Sequence, residues 1–320
     1  MDIFRSVRTV TSASGDGHVD WTAVADAAKA STAAGSLELS EADRSGYATD
    51  VRDARDRLRS LGGVEFDLPD TVEIQNRHHW IDANVDTFRR VMAPVEREVP
   101  QTLFPGVSRV VNTGTLSFML AFLGRNVLGQ YDPLLLAEAA PDDRNHALYF
   151  VHPNIVQVAT DLDVSLPRFR RWIAFHEVSH AAEFGAAPWL STYLERRVER
   201  GVDALAAGDV DREAFAELDT AMTAVEGYAE LLMDRAFDDD YADLRAKLDA
   251  RRQGGGPVAQ LARRLLGLGL KRRQYERGAD FFHAVADDRG LAGASIVWEQ
   301  PENLPTDAEL DDPEQWLARV

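Results

Sequence analysis

Phe169, Trp172, Ile173, His176, His180 and Phe184 advance by three or four residues, so a helix through this segment carries two imidazoles on the same stripe as its large apolar side chains. Buried imidazoles need partners. The segment His176-Glu177-Val178-Ser179-His180 has the spacing H-E-x-x-H, in which side chains four apart share a helix face and can aim at one ion. Glu177 lies about 100° round the helix from His176, near enough to exchange a proton with water beside the ion without ligating it. The competing reading is a chance match, with each histidine hydrogen-bonded in the core. Placement of both rings on the apolar stripe favours the metal.

Catalytic zinc usually takes three protein ligands, so a third must come from elsewhere in the chain. Glu226 is the leading candidate, in the apolar helical run Thr223-Ala224-Val225-Glu226-Gly227-Tyr228-Ala229-Glu230. Glu226 and Glu230 are four apart, and two carboxylates on one face repel unless a cation sits beside them. With Glu226 as ligand, Glu230 is expected to accept the free ring N–H of a histidine, and Gly227 to let the two helices approach closely. Glu183, His152 and His283 are alternative third ligands, and Tyr228, Tyr275, Arg273 and His283 are candidate donors to a developing oxyanion.

Composition narrows the chemistry. The chain of 320 residues has no cysteine, which excludes disulfides, thiolate metal sites and cysteine nucleophiles together. Fifty-three acidic residues face 35 basic ones, of which only Lys29, Lys247 and Lys271 are lysines, a balance that resembles adaptation to high salt. The net charge of −18 argues against a nucleic-acid partner. The first residues lack an apolar h-region, and the apolar stretches Leu116 to Gly124 and Leu261 to Leu270 are shorter than the roughly 20 residues that span a bilayer. These features predict a cytoplasmic protein with no membrane partner.

The pattern along the chain is mainly α with a small β component. Residues 1–94 read as a helical N-terminal region and 95–320 as the metal-binding region, packed with the first as one unit. Trp21 to Leu61 is helical with breaks at Gly35 and Gly62-Gly63, and the stripe Trp80, Val85, Phe88, Val91 and Met92 predicts a helix ended by Pro94. Thr115 to Leu128 reads as a buried helix, followed by a closing loop Gln130-Tyr131-Asp132-Pro133. Ala147 to Val151 and Ile155 to Ala159 predict two strands around the turn His152-Pro153-Asn154. Helices are then expected over Pro167 to Phe184, Trp189 to Ala206, Arg212 to Phe237, Tyr241 to Arg252 and Val258 to Ala286, with a hinge at Gly254-Gly255-Gly256-Pro257. The acidic tail is expected to take an irregular path tied down by Trp298 and Trp316.

Several blocks together resemble a type 2 zincin-like metallopeptidase family. They are Val127 to Pro133, Trp172 to His180, Pro188-Trp189-Leu190, Val225 to Glu230, Lys271 to Tyr275 with Gly278, and Val297-Trp298. Members of this family are often labelled as associated with deazaflavin-coenzyme biosynthesis. No glycine-rich strand-to-helix turn appears here, and no coenzyme site is expected. The resemblance implies a zincin-like fold with H-E-x-x-H on a central helix, His176 and His180 as ligands, Glu177 as base and Glu226 as the glutamate of the family's E-G-H-A block. In that block Tyr228 stands where the family has histidine, and Glu230 where it has aspartate.

The expected function is therefore a Zn²⁺-dependent hydrolase, a peptidase or amidase acting on a peptide or small amide, with Glu177 as general base. The alternative is a non-catalytic zinc-stabilised binding or assembly module, against which the presence of Glu177 argues.

Overall fold

The computed structural model describes residues 3–14, 17–68, 71–98, 105–132, 147–237, 241–253 and 271–320. The expected hinge at residues 254–257 and the start of the helix expected from Val258 lie outside them.

Helices dominate: α1 (Ile3–Thr11), α2 (Trp21–Ala30), α3 (Glu41–Ser60), α4 (Arg77–Glu98), α5 (Pro105–Asn126), α6 (His152–Asp161), α7 (Leu166–Ala186), α8 (Leu190–Ala206), α9 (Arg212–Ala236), α10 (Ala242–Gln253) and α11 (Lys271–Ser295). The short helices α12 (Asp307–Asp311) and α13 (Pro313–Arg319) close the chain. Strands β1 (Thr71–Gln75), β2 (Gly129–Asp132) and β3 (Ala147–Val151) form a sheet of order β1-β3-β2. β3 pairs parallel with β1 and antiparallel with β2, Gly129 standing opposite Phe150 and Gln130 opposite Tyr149. Ala147, Leu148, Phe150 and Val151 are buried, as befits the central strand.

Local chemistry accounts for the helix that carries the motif. Ser165 precedes α7 in extended conformation and Pro167 occupies its first turn, where the missing N–H costs nothing. From Phe169 to Phe184 the apolar face of α7 is buried against α3, α9 and the sheet. α9 is capped by Asp211, whose side chain accepts from the Ala214 amide at 2.8 Å. One apolar cluster joins α3, α6, α7, α9, α11 and the tail; a second joins α2, α4, α5 and Val151.

Several expectations are corrected. Ile155 to Ala159 is part of α6 and not a strand: Pro153 opens the helix, and Ile155, Val158 and Ala159 are buried at helical spacing, which outweighs the β-branched composition. Gln130 to Asp132 is edge strand β2 and not a closing loop, because β3 supplies the ladder that the short sequence does not advertise. β1 was not expected at all. α4 continues to Glu98 past Pro94, since a proline removes one hydrogen bond and bends a helix without having to end it. The tail is tied by buried Trp298 and Trp316, as expected, but forms short helices, α12 being held by a capping box between Thr306 and Glu309.

Candidate metal centre

α7 and α9 bring His176, His180 and Glu226 together, with one ligand atom from each lying within 4.8 Å of the others. This is the one such group of metal-ligating side chains among the described residues. The two imidazoles meet edge to face, ring centroids 4.7 Å apart, and His180 Nε2 lies 4.0 Å from Glu226 Oε2. Glu226 is buried, and so is Glu177 one position beyond His176.

His180 donates from Nδ1 to Glu183 Oε2 at 2.9 Å. That bond holds a proton on Nδ1 and turns Nε2 toward the Glu226 carboxylate, so that Nε2 is the nitrogen that would take a metal once its own proton is displaced. Burial disfavours the charged imidazole, but the hydrogen bond and charge of Glu183, with Glu226 and Glu177, outweigh it and raise the His180 pKa to about 9. Burial likewise raises Glu183 to about 7, against the pull of His180. Three carboxylates thus crowd two imidazoles in a water-poor setting, and a divalent cation would offset most of their charge. Two imidazoles and a carboxylate are also a donor set that catalytic zinc takes. The residues present fit the ion.

Strand β2 closes one side of the centre. A Cβ placed on Gly129 would lie 2.5 Å from Glu177 Cγ and 2.6 Å from its Oε1, so the strand backbone rests directly against the carboxyl group. Tyr131, two residues on, packs on Phe184 of α7 with ring centroids 5.3 Å apart and anchors the strand there.

The remaining candidates fall elsewhere. Glu183 meets His180 as a hydrogen-bond acceptor; its place three residues after His180 on one helix is the signal from which that role could have been read. Glu230 pairs with Arg245 at 3.2 Å. Tyr228 is fully buried on another face of α9, hydrogen-bonded to Ser295 Oγ at 2.7 Å, and burial pushes its phenol well above the usual range. His152 bonds Tyr47 at 3.1 Å, and His283 bonds Asp234 at 2.8 Å. The side chains of Arg273 and Tyr275 lie outside the described residues. Gly227 does permit close helix approach, but toward α11: a Cβ there would stand 2.3 Å from the Gly278 carbonyl carbon. Sequence reasoning missed Gly129, since a glycine before a short edge strand reads as a turn.

A model of the zincin-like metallopeptidase family matches residues 19–211 and 204–317. A crystal structure from Chloroflexus aurantiacus, provisionally described as a hydrolase with a novel fold, is 31% identical, with a TM-score of 0.76 over 94% of this chain and 98% of that one. No curated protein matches the chain. With a family match across nearly its whole length, this mainly helical chain with its small three-stranded sheet belongs to the zincin-like metallopeptidases.

Proposed function

We propose that the protein is a zinc-dependent hydrolase of peptide or small-amide bonds, with His176, His180 and Glu226 as metal ligands and Glu177 as general base. The observation that carries this reading is the convergence of two imidazoles and a buried carboxylate within 4.8 Å, beside a second buried carboxylate that the metal does not need. A zinc ion bound by such a set polarises a carbonyl and makes water nucleophilic at neutral pH.

The chain's own side chains divide the remaining work. Glu177, held between α7 and the Gly129 backbone, accepts a proton from the attacking water and delivers it to the departing amine. Glu183 fixes the His180 ring by holding its Nδ1 proton. A purely structural zinc site has no use for a base at position 177, and this favours catalysis over a zinc-stabilised assembly module.

The test pairs the wild type with Glu177→Gln, each reconstituted with zinc and assayed on a mixed peptide library at high salt. Cleavage by the wild type alone, with equal zinc in both, is the expected result. Equal cleavage by both proteins would remove Glu177 from the chemistry.

A further inference from the structure

β2 meets Glu177 with its backbone alone, and this makes the register of the strand part of the site. Side chains along a strand alternate between the two faces of its sheet. Gly129 and Tyr131 share the α7 face with their partners Phe150 and Leu148, whereas Gln130 and its partner Tyr149 lie on the opposite face, toward α4 and the second apolar cluster. A slip of one residue would turn Gly129 away from Glu177 and put a leucine or glutamine side chain in its place. The site has no room for either, since a bare Cβ at position 129 already stands 2.5 Å from Glu177 Cγ. Little in the strand itself fixes that register. β2 is four residues long, begins with glycine and, among the described residues, pairs with β3 alone, conditions in which register is weakly specified. Asn154 holds the approach to the strand, donating to the Gly124 and Val127 carbonyls at 3.0 and 2.6 Å. Tyr131 packs on Phe184, but apolar contact has no direction and tolerates sliding.

The directional contact falls on Gln130. Trp80 and Asn84, one turn apart on α4, are both buried. The Trp80 indole donates from Nε1 to Gln130 Oε1 at 2.7 Å, and Gln130 donates from Nε2 to Asn84 Oδ1 at 3.2 Å. Asn84 in turn donates from Nδ2 to the Trp80 carbonyl at 2.9 Å. An indole N–H can only donate, so Trp80 decides which end of the Gln130 amide faces it, and the orientation of Asn84 follows. These bonds recognise one position of β2. A shift of one residue sends the Gln130 side chain to the other face, and a shift of two, which preserves the faces, carries it about 6.6 Å along the strand. Either shift breaks both of its bonds to α4.

We propose that Gln130 is a positioning residue for Glu177: by locking β2 to α4 it keeps the Gly129 backbone against the carboxyl group and limits where that group can point. It acts through Gly129, from the opposite face of the strand. The inference rests on the reading of Glu177 as general base and is independent of which peptide or amide is cleaved.

The test uses Gln130→Met, which keeps the length of the side chain and removes both hydrogen bonds. Deuterium uptake by the full chain, read on a peptide spanning β2, should be about tenfold faster than in the wild type, a net hydrogen bond being worth up to about that factor, while α7 keeps its protection. Trp80→Phe/Gln130→Met removes the buried indole donor as well and should show the same uptake, so a folding defect from an orphaned N–H in the single variant does not decide the outcome. With the best peptide from the library, kcat should fall about 10- to 100-fold while KM and zinc content hold. The same substitution made in Glu177→Gln should leave the residual rate where it was. Wild-type protection of β2 in both Gln130 variants overturns the proposal with or without a substrate in hand. So does an equal further loss of rate in the Glu177→Gln background, which would make Gln130 a general support of the fold. Full activity in Gln130→Met beside an inactive Glu177→Gln removes Gln130 alone, whereas full activity in Glu177→Gln removes the base and this inference with it.

Discussion

Gly129→Ala isolates the proposed base from the proposed metal ligands. The new methyl group would stand 2.5 Å from Glu177 Cγ, where ordinary van der Waals contact begins at 3.4 Å, so one partner must move by about 0.9 Å. The strand is the stiffer partner: β2 is hydrogen-bonded to β3, and Tyr131 holds it on Phe184. The Glu177 side chain therefore yields. A misplacement of about 1 Å at a reacting group costs on the order of 100-fold in rate, so kcat should fall by about that factor. The atoms nearest the added Cβ all belong to Glu177, so the base is displaced first and zinc content should hold. Turnover on the best peptide from the library, zinc by mass spectrometry and a thermal melt are read together. Full activity in Gly129→Ala, or loss of zinc together with activity, would refute the reasoning.

Other substitutions probe the supporting structure. Glu183→Gln removes the carboxylate that holds the His180 Nδ1 proton, and zinc affinity measured by competition with a chelator should fall about 10- to 100-fold. Gly227→Ala forces α9 away from Gly278 of α11 and should cost about 1–3 kcal/mol in urea unfolding. His152 has its pKa lowered by burial, against the charge of Asp43 and with that of Arg170. Its neutral form is thus favoured in the fold, and its contribution to stability is complete above the unfolded value of about 6.5 and fades as pH falls toward the lowered one. His152→Gln should flatten the decline of melting temperature as the pH falls below about 6.5.

The centre was legible where periodicity and polarity conflicted. Two histidines in phase with Phe169, Trp172 and Ile173 had to be explained by a partner, and Glu226 stood out as a carboxylate inside an apolar run; the fold places these three side chains together. What stayed hidden depends on the third dimension. Glu183 stands at the three-residue spacing that permits a bond to His180, and its rotamer decides for that bond over a place among the ligands. Gly227 lies one residue from a ligand, yet its contact is with α11, a helix that spacing alone does not bring near. The sheet was the least readable element. β1 and β2 are five and four residues long and gain their stability from pairing with β3. Conversely, Ile155 to Ala159 has strand-like composition and becomes helix because burial follows a three-and-four spacing.

Zinc stoichiometry in the reconstituted wild type and in His176→Gln, His180→Gln, Glu226→Gln and Glu177→Gln tests the central claim most directly. One zinc per chain is expected in the wild type and in Glu177→Gln, with loss of tight binding in each of the three ligand variants while their circular dichroism remains helical. A wild type that takes up no zinc, or ligand variants that hold it as tightly as the wild type, would contradict the account.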